Sequence, residues 1–507
     1  MRAADWLQSN ARLRPDKAAV VDVRSGLRLT YAELDRRASR LAGALQRSGV
    51  EQGDRVALLA PNSVSHLELL FACGKVGALF VPLNMRFSQA ELLYVLEDCQ
   101  PRMLVFDEGF ARQAQELATR YAAARLLAPA EYEEIVTQGD SSYRAAALDM
   151  EDPWAIIYTG GTTGKSKGAI LSHRAITWNS INTIVSWGLT ESEVTPVYLP
   201  MFHTGGLNAL VMPVLHAGGT VVIPHEVNPQ AIVDVLEREC CTIALFVPTV
   251  YHLLIHSEEF ADAAFSTMHT FLSGGAPCPH TIYQAFHAKG IQFKEGYGLT
   301  EAGPNNFYIH PDEARVKVGS VGKAMFHNEI RLVDDRGHDV PNGETGELWI
   351  RGPHVFSGYW NKPELTADAF AADGWLKTGD LCRRDQDGYH YIAGRKKDMI
   401  ISGGENVYPL EIEHLLAMHP QVSEVAVVGL PHEKWGEVVT AVIVPQETAP
   451  TAGRPALIEE LKAYCRKTLA GYKVPKQFLF RSDLPTTSVG KIDKKALVQQ
   501  LESRKSG

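Results

Sequence analysis

The chain has little that would tie it to an oxidising compartment, to nucleic acid or to a membrane. Its seven cysteines (Cys73, Cys99, Cys240, Cys241, Cys278, Cys382, Cys465) are odd in number, scattered, and never spaced as C-x-x-C; they read as reduced thiols and exclude a disulfide framework. A net charge of -9 with no extended Lys/Arg run excludes a nucleic-acid binder, which needs a concentrated basic face. Met1 to Asn10 carries Asp5 and no apolar core of signal-peptide length, so no export is expected and the cytoplasm is the expected compartment. The most apolar stretch, Gly206 to Pro224, is broken by Pro213, His216 and Gly218-Gly219, which argues against a membrane-spanning helix and predicts a buried helix followed by a strand. Internal repeats are absent, and the only biased tract is a loop near Glu447 to Pro455, expected to be a surface insertion.

What is present is a soluble-protein composition, 45% apolar and 21% charged, on a chain too long for one core, since single cores stop growing near roughly 250–300 residues. Thr30 with Glu33 forms a capping box that opens a helix whose Leu34, Ala38, Leu41 and Leu45 share one face. Ser88 with Glu91 caps another. Apolar runs at Arg55 to Ala60, Ala78 to Leu83, Trp154 to Tyr158, Thr220 to Pro224 and Ile243 to Val247 alternate with amphipathic segments. That alternation predicts an α/β fold of βαβ units with parallel sheets covered on both faces. From Gly319 to about Ile392 the texture changes to short β segments divided by Gly, Asp and Asn turns, a small β subdomain. After Arg395 a charged stretch, Lys396-Lys397-Asp398, precedes an αββα-like run from Leu410 to Leu469. The expected division is a large domain over 1–395, a hinge over 396–398 and a smaller α+β domain over 399–507.

The densest chemical signal follows the Trp154 to Tyr158 strand: Thr159-Gly160-Gly161-Thr162-Thr163-Gly164-Lys165-Ser166-Lys167-Gly168. Glycines let backbone N–H groups turn toward an anion, hydroxyls add donors and lysines add charge, so the composition suits a polyphosphate rather than a merely flexible loop. A Walker A loop would need glycine where Thr159 stands, so a P-loop ATPase or kinase fails on spacing. Over nearly the whole chain the sequence resembles the adenylate-forming superfamily: acyl-CoA synthetases, coumarate-CoA ligases, luciferases and peptide-synthetase adenylation domains. It departs from the family pattern at Gly161, where serine is usual, and at Ser166, where proline is usual.

The resemblance implies roles at numbered positions. In Glu295-Gly296-Tyr297-Gly298-Leu299-Thr300-Glu301, the family stacks adenine on Tyr297, contacts the α-phosphate through Thr300 and holds Mg2+ through Glu301; a flat ring suits a purine and a hard carboxylate suits magnesium. Gly274-Gly275-Ala276-Pro277 resembles the loop beside the adenine. Asp380 would accept from the ribose hydroxyls, and Arg395 would contact ribose or phosphate. Lys491, near the C-terminus, would bridge the substrate carboxylate and the α-phosphate, where two anions must approach and charge builds up. Phe202, His203, Gly206, Gly275 and Gly298 would border the acyl pocket, with His203 a gate or orienting residue. Gly403 and Gly404 would admit the thiol arm of CoA after a domain rotation hinged at Lys397.

The activity so implied is ATP-dependent formation of an acyl-adenylate from a carboxylic acid, followed by transfer to CoA. An amino-acid-activating domain would place an acid near Phe202 to Gly206 to pair the substrate ammonium, and a peptide synthetase would need a carrier module that the short tail after Lys491 cannot hold. A luciferase-like activity shares the adenylating residues but would be expected with a peroxisomal Ser-Lys-Leu end. A non-catalytic nucleotide sensor is disfavoured by Lys491, Glu301 and Asp380 together. Fatty and aryl acids both stay open with a lean to fatty or other hydrophobic acids, as does a homodimer.

Overall fold

The computed structural model describes residues 1–121, 124–160, 165–276, 278–446, 454–487 and 492–503. The first local expectations hold at atomic detail. Thr30 accepts from the Glu33 N–H while Glu33 Oε2 accepts from the Thr30 N–H at 2.8 Å, and Leu34, Ala38, Leu41 and Leu45 of the helix Tyr31–Arg47 are all buried. Ser88 and Glu91 form the same reciprocal cap on the helix Gln89–Cys99. Within the apolar stretch Gly206 to Pro224, the helix Val211–Ala217 is followed by the strand Thr220–Ile223, and both belong to the core. Among the described residues no helix is long and apolar enough to cross a membrane. Six of the seven thiols are buried and none is paired.

The large N-terminal domain is α/β with mixed sheets. Its widest sheet runs in the order Gly358–Tyr359, Lys167–Ser172, Pro153–Thr159, Leu79–Pro82, Arg55–Leu59, Met103–Phe106, Arg125–Leu127. It is parallel from Pro153–Thr159 onward, as the βαβ pattern predicts, and antiparallel at the other edge. The reason is length: the connection 160–166 is too short for a parallel crossover, which needs a dozen or more residues, so the chain returns as a hairpin. The expected β subdomain is a four-stranded antiparallel sheet of Glu329–Val333, Thr345–Arg351, Leu376–Arg384 and His390–Arg395.

A three-stranded parallel sheet, Ile243–Phe246, Thr270–Ser273 and Phe293–Glu295, carries the candidate site at the C-terminal ends of its strands. Its faces divide by alternation. Ile243 and Leu272 join the main core, whereas Ala244, Phe246, Phe271 and Phe293 join a second, aromatic core with Tyr251, Tyr283 and Phe286.

The smaller C-terminal domain is a five-stranded sheet with Val422–His432 and Gly436–Pro445 at its centre. The helices Pro409–Ala417 and Arg454–Arg466 cover one face and Lys494–Ser503 the other. The insertion expected near Glu447 to Pro455 falls mostly outside the described residues; Arg454 and Pro455 already belong to a helix.

The N-terminal domain buries an ionic cluster away from the candidate site. Lys75 Nζ, 1% exposed, donates at 2.6 Å to both Asp5 and Asp35. Burial and the Asp5 charge, partly opposed by Lys75, hold the Asp35 carboxyl above its ordinary range. Removing the cation leaves two acids facing each other in a poorly solvated space. Lys75→Ala is therefore expected to lower the unfolding free energy by about 3–5 kcal/mol, measured by urea denaturation.

Candidate nucleotide and acyl site

Three of the residues singled out by sequence, Tyr297, Asp380 and Arg395, converge where the three-stranded sheet meets the β subdomain. Leaving the strand Phe293–Glu295, the chain passes Gly296 and brings Tyr297 against Asp380. Tyr297 Oη donates to Asp380 Oδ2 at 2.6 Å, and the Arg395 guanidinium lies 3.5 Å from Asp380 Oδ1. Register explains the second contact: Asp380 and Arg395 are directly paired across the strands Leu376–Arg384 and His390–Arg395. Burial, and then the Asp380 charge, push the Tyr297 phenol well above its ordinary range, so it stays a donor. The turn before Asp380 is fixed by Thr378, whose hydroxyl donates to the Leu348 carbonyl and accepts from the Asp380 N–H.

Thr300 is buried and opens a short 3-10 turn that contains Glu301. Tyr359 Oη donates to Glu301 Oε1 at 2.7 Å, and the Lys167 ammonium sits 4.1 Å from the centre of the Tyr359 ring. Tyr359 reaches this place because the edge strand Gly358–Tyr359 pairs with Ala169 and Ile170. The base of the phosphate-loop hairpin is thus held beside Glu301. Thr159 is half-buried and paired with Lys167, and Gly160 is exposed; Gly161, Thr162, Thr163 and Gly164 lie outside the described residues, as do Pro277 and Lys491. The two ends of the Lys491 loop are joined by a bridge between Thr486 and Ile492.

The structure changes the meaning of several expected positions. Glu295, expected among the nucleotide contacts, turns its carboxyl into the aromatic core instead. It accepts from the Cys278 N–H at 3.0 Å and from Tyr283 Oη at 2.9 Å, tying the Gly274 to Cys278 loop to the strand. Period-two alternation is the reason: Glu295 shares its face with Phe293. Gly206 and Gly298 were expected to border the acyl pocket. At Gly206 a Cβ would stand 2.1 Å from the Pro200 carbonyl oxygen, and at Gly298 2.1 Å from that of Pro304. Both glycines allow one backbone to cross another. Open space lies instead over Gly296, where a Cβ would meet nothing nearer than 3.9 Å, and beside exposed Gly275, whose φ of +82° itself demands glycine.

Phe202 is buried, and His203 is half-buried at the start of the helix Thr204–Asn208, where its Nδ1 accepts from the Gly205 N–H at 3.2 Å. His203 is thus oriented by a cap and aimed by it. Ala276 is half-buried in the loop after the strand Thr270–Ser273. Gly403 and Gly404, with φ of 64° and 85°, form the two-residue turn between the strands Ile400–Ser402 and Glu405–Val407, the backbone of a primed hairpin turn. Lys397 is exposed in the short 3-10 segment between the domains.

Two contributors, Tyr359 and Glu347, escaped the sequence reading. Tyr359 carried only the faint signal of a Gly-Tyr-Trp turn. Glu347 accepts from the Gly379 N–H at 3.3 Å and from Lys396 at 3.1 Å, linking the Asp380 turn to the inter-domain segment. Lys396 also pairs with Asp335 at 2.8 Å. Among the described residues no group of three or more His, Cys, Asp or Glu could hold a metal on its own.

This arrangement is that of a nucleotide-binding ligase, and comparison with known proteins bears on it directly. The AMP-binding enzyme family matches residues 7–360, and the AMP-binding enzyme C-terminal domain matches residues 411–491. The chain belongs to this family. It is 41% identical to a feruloyl-CoA synthase of Amycolatopsis over 96% of both chains. It is 39% identical to an indoleacetate–CoA ligase of Aromatoleum aromaticum over 100% of this chain and 99% of the other. Among solved structures, ATP-bound MatB from Rhodopseudomonas palustris superposes with a TM-score of 0.90 at 34% identity, covering 99% of each chain.

The inward Glu295 makes a measurable prediction. Burial raises its carboxyl to about 7 from an ordinary 4.5. The unfolded chain ionises first, so the stabilisation is complete below about pH 4.5 and is lost as pH rises to about 7. Stability curves of wild type and Glu295→Gln, whose amide oxygen can still accept from the Cys278 N–H while its NH2 can only donate to the Tyr283 oxygen, should therefore diverge across that window. The expected change in their difference is about 3 kcal/mol in favour of the variant, measured by urea unfolding at pH 4.5, 6 and 7.5.

Proposed function

We propose that this AMP-forming acid–thiol ligase activates an aryl-bearing carboxylic acid, and that the residues gathered around Tyr297 and Asp380 hold its ATP. The observation that carries the reading is the convergence of Tyr297, Asp380 and Arg395 from three separate segments into one hydrogen-bonded and ionic chain. The names of the two relatives, both ligases of aryl acids, favour an aryl over a fatty substrate. So does the open, side-chain-free space over Gly296.

In the first half-reaction a carboxylate oxygen of the acid attacks the α-phosphorus, the bond to the β-phosphate breaks, and pyrophosphate leaves. Tyr297 offers its ring to adenine, Asp380 accepts from the ribose hydroxyls, and Thr300 donates to the α-phosphate. Lys491 neutralises the approach of two anions, so positioning and electrostatics supply most of the rate. Glu301 fits a magnesium ion that is otherwise held by phosphates: it is a single half-buried carboxylate oriented by Tyr359, and magnesium takes one or two carboxylates plus phosphate oxygens. When bound, the ion supplies charge neutralisation of the polyphosphate.

In the second half-reaction the thiol sulfur of CoA attacks the acyl carbon and AMP leaves. We assign residues 1–395 to the ATP- and acid-binding domain, 396–398 to a hinge and 399–507 to a mobile domain. Rotation about Lys397 would withdraw Lys491 and bring the Gly403-Gly404 turn to the thiol route. ATP and CoA as substrates favour the cytoplasm.

Purified protein with Mg-ATP, CoA and a panel of hydroxycinnamates, arylacetates, benzoates and fatty acids is expected to form aryl-CoA, read by mass spectrometry. Product from fatty acids alone would overturn the aryl reading. Lys491→Ala should lower adenylate formation by about 10²–10³, yet still convert chemically prepared acyl-adenylate and CoA to thioester. Unchanged adenylation would remove Lys491 from its role.

A further inference from the structure

The strand that turns Glu295 inward presents a second ionisable group on its opposite face. Lys294 is 4% exposed, and among the described residues no hydrogen bond or ion pair holds its ammonium. It lies instead against two rings: Nζ is 4.8 Å from the centre of Trp187 and 4.5 Å from that of Tyr308. Beside it, the Trp187 indole N–H is buried and also lacks an acceptor. Two donors therefore stand together without an acceptor. That is costly unless something supplies one, because a buried donor left unmade loses its hydration with no compensation.

Register places this pair relative to the acid. Leu245, Leu272 and Lys294 are direct cross-strand partners and form one row on the main-core face of the three-stranded sheet. One step along the same face lies Gly296, over which the space is open and on which the acid is proposed to lie; the distance from Lys294 to Gly296 along the strand is roughly 7 Å. Leu245, at the other end of the row, also borders the cavity lined by Gly205 and Gly206, next to His203.

We propose that Lys294, with the Trp187 N–H, forms the distal end of the acid pocket and selects acids that carry a hydrogen-bond acceptor, a hydroxyl or methoxy oxygen, on the end remote from the carboxylate. The inference rests on the aryl-acid reading above and adds the feature by which one aryl acid is told from another. The rings of Trp187 and Tyr308 hold the cation in place while leaving its protons free for the ligand. Burial lowers the Lys294 ammonium to about 7, so its donor strength changes near neutral pH. Around it, the helix His173–Trp187 contributes no charge at the contact. The strand Phe307–Tyr308 contributes Tyr308, whose phenol burial and Glu313 raise, and the neighbouring strand contributes apolar Leu272.

The test compares 4-hydroxy-3-methoxycinnamate with cinnamate by kcat/KM in wild type, Lys294→Met and Trp187→Phe. In wild type the oxygenated acid is expected to be preferred, with the preference declining as pH rises from 6 to 8. In Lys294→Met its kcat/KM should fall about ten- to a hundredfold, as expected on losing a hydrogen bond to a charged donor. Cinnamate, which presents no oxygen to Lys294, should lose far less, and the pH dependence of the preference should vanish. Trp187→Phe should give a smaller loss in the same direction. Lys294→Met is also expected to melt at a higher temperature, since it removes a buried charge without an acid partner. An unchanged preference in Lys294→Met, with both acids still turned over, would overturn the inference and leave the aryl-ligase reading standing. Turnover of neither acid by wild type would instead defeat that reading and the inference with it.

Discussion

The hydrogen bond from Tyr297 to Asp380 crosses the seam between the parallel α/β part of the N-terminal domain and its antiparallel β subdomain. A site made from two folding patterns needs a fixed distance between them. Here it is set by a half-buried phenol and a buried carboxylate, each positioned by backbone: Tyr297 by the strand it follows, Asp380 by the Thr378 turn and by its pairing with Arg395. Glu347 extends the chain to Lys396, so the Asp380 turn and the Lys396–Asp398 segment share one polar network. Disturbing either end is felt at the other, because each partner in such a network fixes the geometry of the next.

Much of the architecture was legible because its causes are local. Capping boxes at Thr30 and Ser88, apolar runs of strand length and the change of texture near Gly319 are read within a few residues, and each corresponds to an observed element. The family resemblance supplied Tyr297, Asp380 and Arg395, which meet in space, and Glu301, which meets Tyr359 instead. What could not be read depends on contacts distant in sequence. The edge strand Gly358–Tyr359 docks beside Ala169, and nothing near Tyr359 announces that its hydroxyl meets Glu301. Gly206 and Gly298 looked like borders of the acyl pocket because sequence cannot tell an empty position from one filled by another backbone.

The three residues Phe293, Lys294 and Glu295 illustrate the same limit in miniature. Their alternation is visible in the sequence, but the polarity of what each face meets is not. One face gives Glu295 two hydrogen-bond donors within an aromatic core; the other gives Lys294 two aromatic rings and no carboxylate. The two ionisable groups are thus separated by the thickness of a strand and do not pair, and burial pushes each of them toward its neutral form.

The Gly403-Gly404 turn has both central residues at positive φ, which a residue with a side chain reaches only at a steric cost, and a Cβ at Gly403 would also stand 2.9 Å from the Trp435 ring. This tip therefore stays as close to its neighbours as it does only while position 403 carries no side chain.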